Sequence, residues 1–379
     1  MIKVLYVIDT LNVGGAEKSL LEMYPYFKEI DLTVCHIYQG EDLKEEYEKS
    51  NIKVISLGIT SHYGFFKALK SLKKVIRSEN PTIIHCALLR SSLICRFIAR
   101  QTRIPLIGSF VNDSYAKERY TKLSLTAKCK LSFFRYLDRI TASWATHYIS
   151  ITETIKKTNA LHLKLQPKDI TVIYRGREIS KFSINNKVVP VTSEFIFLNV
   201  ARAIKRKGQE ELIRAFYLLQ KKYSNIRLWL AGDGRDLELY AHLIEELGLS
   251  GKAILLGKRA DVPELLAQCS CFVFPSHYEG LGGAVIEAML AERPIIASNI
   301  PVLAENIKDG ETGITFELFD VEDLAKKMEW VYLNKIDSEK IAQQAKAVAI
   351  ERFDLSNIAL AYEKVYKRVA YENSAASNS

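Results

Sequence analysis

The sequence predicts an α/β chain of two domains, each a parallel sheet with helices on its faces. Apolar runs of strand length alternate with stretches of helical periodicity along most of the chain, the βαβα order that builds parallel sheets. Two of these runs, Lys3–Ile8 and Phe195–Ala201, lead through a loop to a glycine that opens a helix, at Gly14–Gly15 and at Gly208. The 379 residues suffice for two domains of ordinary size, and a polar stretch at 184–193 breaks the pattern between them. We therefore place a first domain over residues 1–180, a second over 181–355, and a terminal segment over 356–379.

Composition narrows the function classes. Hydrophobic residues at 48% and charged residues at 26% are a soluble globular balance, not that of a disordered or fibrous chain. No apolar run approaches the roughly 18–20 residues that span a bilayer. MIKVLYVID is strand from its first residues, with no secretory leader pattern, so a cytoplasmic location is expected. The six cysteines are scattered without a C-x-x-C pair, which favours reduced core thiols over disulfides or zinc. The formal charge of +9 points to an anionic substrate, an anionic membrane surface or nucleic acid. No recognisable nucleic-acid module accompanies it, so we expect no nucleic-acid partner.

In chain order, Lys3–Ile8 is a buried strand, and Gly14–Gly15 turns it into a helix carrying Leu20, Leu21, Tyr24 and Phe27 inward. The opening is Rossmann-like but lacks G-x-G-x-x-G, which disfavours a dinucleotide-dependent dehydrogenase. Leu32–Tyr38 and Val54–Leu57 read as strands. Between Ile59 and Ser78 there is no acidic residue; Phe65, Leu69, Leu72 and Ile76 share one helical face, and Lys67, Lys70, Lys74 and Arg77 another. Such a basic amphipathic helix suits either an anionic lipid surface or ordinary packing on the sheet. Thr82–His85 is a strand ending in a histidine that is either a site residue or a core residue. From Tyr115 to Trp144, lysines and arginines accompany an apolar seam of Phe133, Leu137, Ile140 and Trp144, read as acceptor-side, membrane-facing or simply packed helices. His147–Ile151 is a strand, and another begins at Val172–Ile173. In the second half, Arg227–Ala231, Ala253–Leu256 and Cys271–Phe274 are strands, and a helix spans Phe353–Tyr371 before the tail NSAASNS, which looks disordered.

The chain is organised around Phe272–Ser298, a strand, a loop closed by Pro275, a glycine-rich turn, a helix from about Gly282, and a strand after Pro294. Glu279 precedes the helix and Glu287 lies eight residues on, placed about two turns inside it. The start of a helix offers unpaired N–H groups and a positive dipole end, so Gly282, Gly283 and Ala284 would receive an anion. Bare glycine at Gly280, Gly282 and Gly283, beside Leu281, lets a phosphate approach that backbone. Two carboxylates flanking such a start suit a nucleotide diphosphate sugar.

These residues resemble the E-x7-E signature of retaining GT-B glycosyltransferases, in particular glycosyltransferase family 4. GGAE at Gly14–Glu17 resembles the family's first loop, and Arg202 with Lys207-Gly208 resembles its R-x4-K-G motif. Gly232-Asp233-Gly234 resembles its next turn, a structural one. The resemblance implies the GT-B fold, two Rossmann-like domains facing a central cleft, the first binding the acceptor and the second the nucleotide sugar. It implies a final helix that returns to the first domain. It further implies that Arg202 and Lys207 hold the donor diphosphate, that Glu279 positions the sugar hydroxyls, and that Glu287 holds the ribose. The loop at Gly257–Lys258 would meet the base, Lys258 as a contact or a surface residue. In relatives the segment at His85 often reads H-x-H; here Ala87 replaces the second histidine, and Asp113 is a weaker candidate on the acceptor side. Arg175-Gly176-Arg177-Glu178 replaces the usual linker residues, and Glu292 stands where relatives often have glycine. No D-x-D occurs, so no metal and no cofactor is expected beyond a UDP- or GDP-linked donor. The expected activity is retaining, metal-independent hexosyl transfer to a saccharide or lipid-linked acceptor, with basic helices touching the inner membrane face. The alternative is a GT-B nucleotide-sugar epimerase, which would use carboxylates and histidines as acid and base without an acceptor.

Overall fold

The computed structural model describes residues 1–60, 64–112, 115, 124–182 and 194–377. Asp113 and the linker stretch 184–193 lie outside the described residues. The chain divides into two compact units, 1–176 with 355–379, and 177–354.

The first unit holds seven parallel strands, β1 (Ile2–Ile8), β2 (Ile30–Tyr38), β3 (Lys53–Ile59), β4 (Ile83–Ala87), β5 (Leu106–Phe110), β6 (His147–Ser150) and β7 (Ile170–Val172), ordered β3-β2-β1-β4-β5-β6-β7. Their near-continuous apolar runs follow from burial on both faces. Val4, Tyr6 and Ile8 point into one core with Leu20 and Met23 and with Tyr362 and Tyr366 of the terminal helix. Leu5 and Val7 point into the other, against Leu72 and Ile76 and against Ile94 and Ile98. The second unit repeats the plan with β8 (Phe195–Val200), β9 (Ile226–Ala231), β10 (Ala253–Gly257), β11 (Cys271–Phe274), β12 (Ile295–Ser298) and β13 (Ile314–Phe316), ordered β10-β9-β8-β11-β12-β13.

Three expectations need correction. The strand expected to begin at Val172 ends there; β7 pairs Ile170–Val172 with Tyr148–Ser150. Phe353 closes a separate helix, Lys335–Phe353, and Asp354 in extended conformation (φ −62°, ψ 128°) separates it from the terminal one. That terminal helix runs from Leu355 to Ser377, so most of the expected disordered tail is helical. Five cysteines are buried thiols, and Cys129 is exposed. No described helix is long and apolar enough to cross a membrane.

Candidate active site

In the second sheet the strand order reverses between β8 and β11. Ligands of open parallel sheets bind outside the carboxyl ends of strands at such a switch. The loop after β8 carries Arg202 and Lys207, the loop after β11 carries Glu279, and the structure joins them: Lys207 Nζ and Glu279 Oε1 form an ion pair with both side chains only 11% exposed. Ser276 Oγ donates to the same carboxylate oxygen at 2.6 Å. Burial draws the Lys207 pKa below its ordinary value, Glu279 opposes this, and Arg206 and Arg202 reinforce it. Arg202 itself is exposed.

The loops are held by backbone that admits few alternatives. Gly208 sits at φ +69°, and a Cβ there would collide with the Pro275 carbonyl oxygen, so only glycine lets the Lys207 turn close on the β11 loop. Asn199 Nδ2 donates to Val273 O at 2.8 Å across β8 and β11, and Gln209 Nε2 donates to Asn199 Oδ1 at 3.1 Å. Ala203 N donates to Asp233 O at 3.0 Å, so the Gly232-Asp233-Gly234 turn braces the Arg202 loop.

The helix after Glu279 spans Gly283–Leu290, with Gly282 at φ +77° before it and no side chain capping its start. Glu287 therefore stands about one turn inside the helix rather than two, because the first four of the eight residues from Glu279 belong to the loop and the cap before Gly283. Gly282 is glycine for packing too: a Cβ would lie 2.6 Å from Leu303 Cδ2. Leu281 is buried, and its carbonyl accepts from Asn306 Nδ2 at 2.6 Å; Gly280 is half-buried.

Arg177 is the residue the sequence reading did not single out for the site. Its Nε donates to Glu287 Oε1 at 2.8 Å, and a Cβ on Gly283 would collide with its Nη2, which puts the guanidinium against the helix start. Its backbone N–H is tied to Phe353 O at 2.7 Å. The only signal in the sequence was the replacement of the usual linker residues by Arg175-Gly176-Arg177-Glu178. One unit thus assembles three cations, two carboxylates and an uncapped helix start, a set suited to a diphosphate bearing hydroxylated groups.

Comparison with known proteins decides the family. The model described as glycosyl transferases group 1 matches residues 180–348, and the model described as glycosyltransferase family 4 matches residues 13–181. The chain belongs to glycosyltransferase family 4. Among relatives of this glycosyltransferase, the capsular polysaccharide biosynthesis glycosyltransferase CapH of Staphylococcus aureus is 28% identical over 79% of this chain and 82% of that protein. The N,N'-diacetylbacillosaminyl-diphospho-undecaprenol alpha-1,3-N-acetylgalactosaminyltransferase of Campylobacter jejuni is 27% identical over 79% of this chain and 80% of that one. The crystal structure of HepE from Anabaena in complex with UDP has a TM-score of 0.81 at 21% identity, covering 97% of this chain and 100% of that one. The fold is GT-B.

The remaining expected residues of the glycosyltransferase divide between the two units. Gly257, at φ +64°, ends β10 and accepts from Gly232 N at 2.7 Å, while Lys258 is exposed. Gly14 and Gly15 follow β1 in the first unit; the Glu17 side chain folds back against Gly14, where a Cβ would strike its carboxylate. Burial raises the Glu17 pKa, against its own backbone N–H and Arg175. His85 lies in β4, 1% exposed, with Nδ1 2.7 Å from Tyr366 Oη and Nε2 2.7 Å from Ser109 Oγ. Burial lowers its pKa to about 3. Both nitrogens are engaged and the ring stays neutral, so the core reading of His85 describes it and we carry no catalytic role forward. The first sheet also reverses order, between β1 and β4. A cavity of about 500 Å³ sits there, lined by Asp9, Arg90, Asn112, Lys130 and apolar residues including Phe110 and Phe134.

Proposed function

We propose that this glycosyltransferase moves a sugar from a UDP- or GDP-linked donor to a hydroxyl of a saccharide or lipid-linked acceptor, in the assembly of a cell-surface polysaccharide or glycolipid. The observation that carries the reading is the Lys207–Glu279 pair at the β8–β11 switch, beside the uncapped start at Gly283. The 177–354 unit binds the donor and the 1–176 unit the acceptor. The relatives support the substrate class: one acts in capsular polysaccharide biosynthesis, another on a diphospho-undecaprenol-linked sugar, and the HepE structure contains UDP.

In this mechanism the bond between the anomeric carbon and the diphosphate oxygen breaks, and the acceptor oxygen bonds to that carbon on the same face, so configuration is retained. The acceptor proton passes to a phosphate oxygen of the leaving diphosphate. Arg202, Lys207 and the Gly283 and Ala284 amides stabilise the charge that builds there without a metal. Lys207 contributes a point charge and Arg202 a planar fork. Glu279 orients the sugar hydroxyls, Glu287 holds the ribose, and the Gly257–Lys258 loop meets the base.

The test is incubation with UDP- and GDP-sugars, with and without saccharide acceptors, followed by NMR of the products. Acceptor-dependent nucleotide release and an anomeric linkage matching the donor's are expected. Epimerisation of the donor sugar without acceptor, or inversion at the anomeric carbon, would overturn the reading.

A further inference from the structure

The helix Leu125–Thr141 carries two opposite apolar faces. Its inward face, with Leu131, Phe134 and Asp138, packs on the first unit and walls the 500 Å³ cavity. Its outward face presents Leu125, Phe133, Tyr136 and Ile140, 80%, 59%, 61% and 47% exposed, with the exposed Cys129 among them. Their spacing, 125, 129, 133, 136 and 140, is that of a single helical stripe. Lys128, Arg135 and Arg139 follow one edge of it. The sole acidic residue of the helix, Asp138, faces inward and is paired with Arg96. A second basic helix, Phe65–Glu79, packs on the same neighbour, Leu89–Thr102; it exposes Lys67, Lys70, Lys74 and Phe66, the last 84% exposed.

We propose that the outward stripe of Leu125–Thr141 docks the protein on an anionic bilayer, its apolar side chains entering the interface while Lys128, Arg135 and Arg139 meet lipid phosphates. An exposed apolar stripe edged by cations, on a helix whose one acid faces inward, is complementary to such a surface, and a water-facing role leaves it unexplained. Docking in this way puts only one helix, about 10 Å across, between the membrane and the cavity. Arg90 and Lys130, which line that cavity with Asp9 and apolar side chains, suit an acceptor whose sugar is joined through phosphate to a lipid anchored in that bilayer. This last step rests on the transferase reading; docking itself does not.

The experiment is co-sedimentation of the full chain with vesicles of phosphatidylglycerol and phosphatidylcholine, without donor or acceptor. We expect binding to anionic vesicles, loss on raising salt from 0.1 to about 1 M as screening shortens to about 3 Å, and little binding to pure phosphatidylcholine. Phe133→Ser with Ile140→Ser should weaken partition about tenfold or more, the loss expected from two buried apolar side chains. Melting curves of the variant with whichever of UDP and GDP stabilises wild type keep the two readings apart: an unchanged nucleotide shift with lost vesicle binding assigns the stripe to docking alone. Wild type remaining in the supernatant, or equal sedimentation of the variant, would overturn the proposal. So would light scattering that shows a dimer abolished by the same substitutions, since a second copy would then cover the stripe.

Discussion

Lys207 and Glu279 form a buried ion pair although 72 residues separate them in sequence, and they come together because β8 and β11 are neighbours at the point where the sheet reverses. With both side chains largely out of water, the pair is a preset arrangement of charge. Replacing either residue by alanine should reduce sugar transfer about 100-fold or more, the loss typical of a preorganised electrostatic group, while the far-UV spectrum stays native. Turnover within threefold of wild type in either variant would remove the pair from the chemistry.

The turn that delivers Lys207 depends on Gly208. Gly208 and Gly248 have similar backbone angles, φ +69° and +66°, but a Cβ on Gly248 meets open space and one on Gly208 meets the Pro275 carbonyl. Gly248→Ala should therefore cost about 1 kcal/mol from backbone strain alone, and Gly208→Ala about 3 kcal/mol because a collision with backbone is added. Urea unfolding of the two variants measures the difference. Equal losses would mean that the β8 and β11 loops are not locked at this point.

His85 sets an acid limit on stability. Burial lowers its pKa from 6.5 to about 3, and burial with Arg368 lowers that of His147 to about 4. The unfolded chain takes up these protons below pH 6.5 and the folded chain does not, so their contribution is whole above pH 6.5 and drains away as pH falls toward the folded values. His85→Gln keeps a donor and an acceptor but cannot titrate. Its stability should fall less steeply between pH 6.5 and 4, with nucleotide binding unchanged; a slope equal to wild type would contradict the core assignment.

The helix that walls the first unit's cavity is fastened by charge. Arg96 and Asp138 form an ion pair with side chains 2% and 7% exposed, and Tyr115 Oη donates to Asp138 Oδ2 at 2.6 Å. Removing one partner strands a buried charge. Asp138→Ala should cost about 3–5 kcal/mol, and Arg96→Met with Asp138→Leu should recover much of it. Denaturant midpoints test this. A double variant no more stable than the single would show that the network does more than neutralise itself.

Most strands were legible because a parallel strand buried on both faces leaves an unbroken apolar run, as in Val4–Ile8. The same property hid the fate of His85: with both faces of β4 covered, alternation does not say whether a polar side chain meets a ligand or a tyrosine. The Gly208 turn and the Glu279 loop were visible as local patterns. The Arg177–Glu287 pair spans 110 residues and has no local signature. Glu292 shows a different limit. It ends a helix at φ +55°, where glycine is easier, and Lys346 Nζ at 2.8 Å from its carboxylate offsets that strain, a contact invisible before folding.

The central claim is that the 177–354 unit binds a nucleoside diphosphate through its switch-point loops and the Gly283 helix start. Thermal melting with UDP and with GDP, without added metal, for wild type and Glu287→Ala, tests it most directly. A ligand specific for the folded state stabilises by mass action, about 2.7 kcal/mol at one hundred times its dissociation constant. The account predicts a clear rise in Tm with one of the two nucleotides and its loss in Glu287→Ala. No shift at millimolar nucleotide, or an equal shift in the variant, would contradict it.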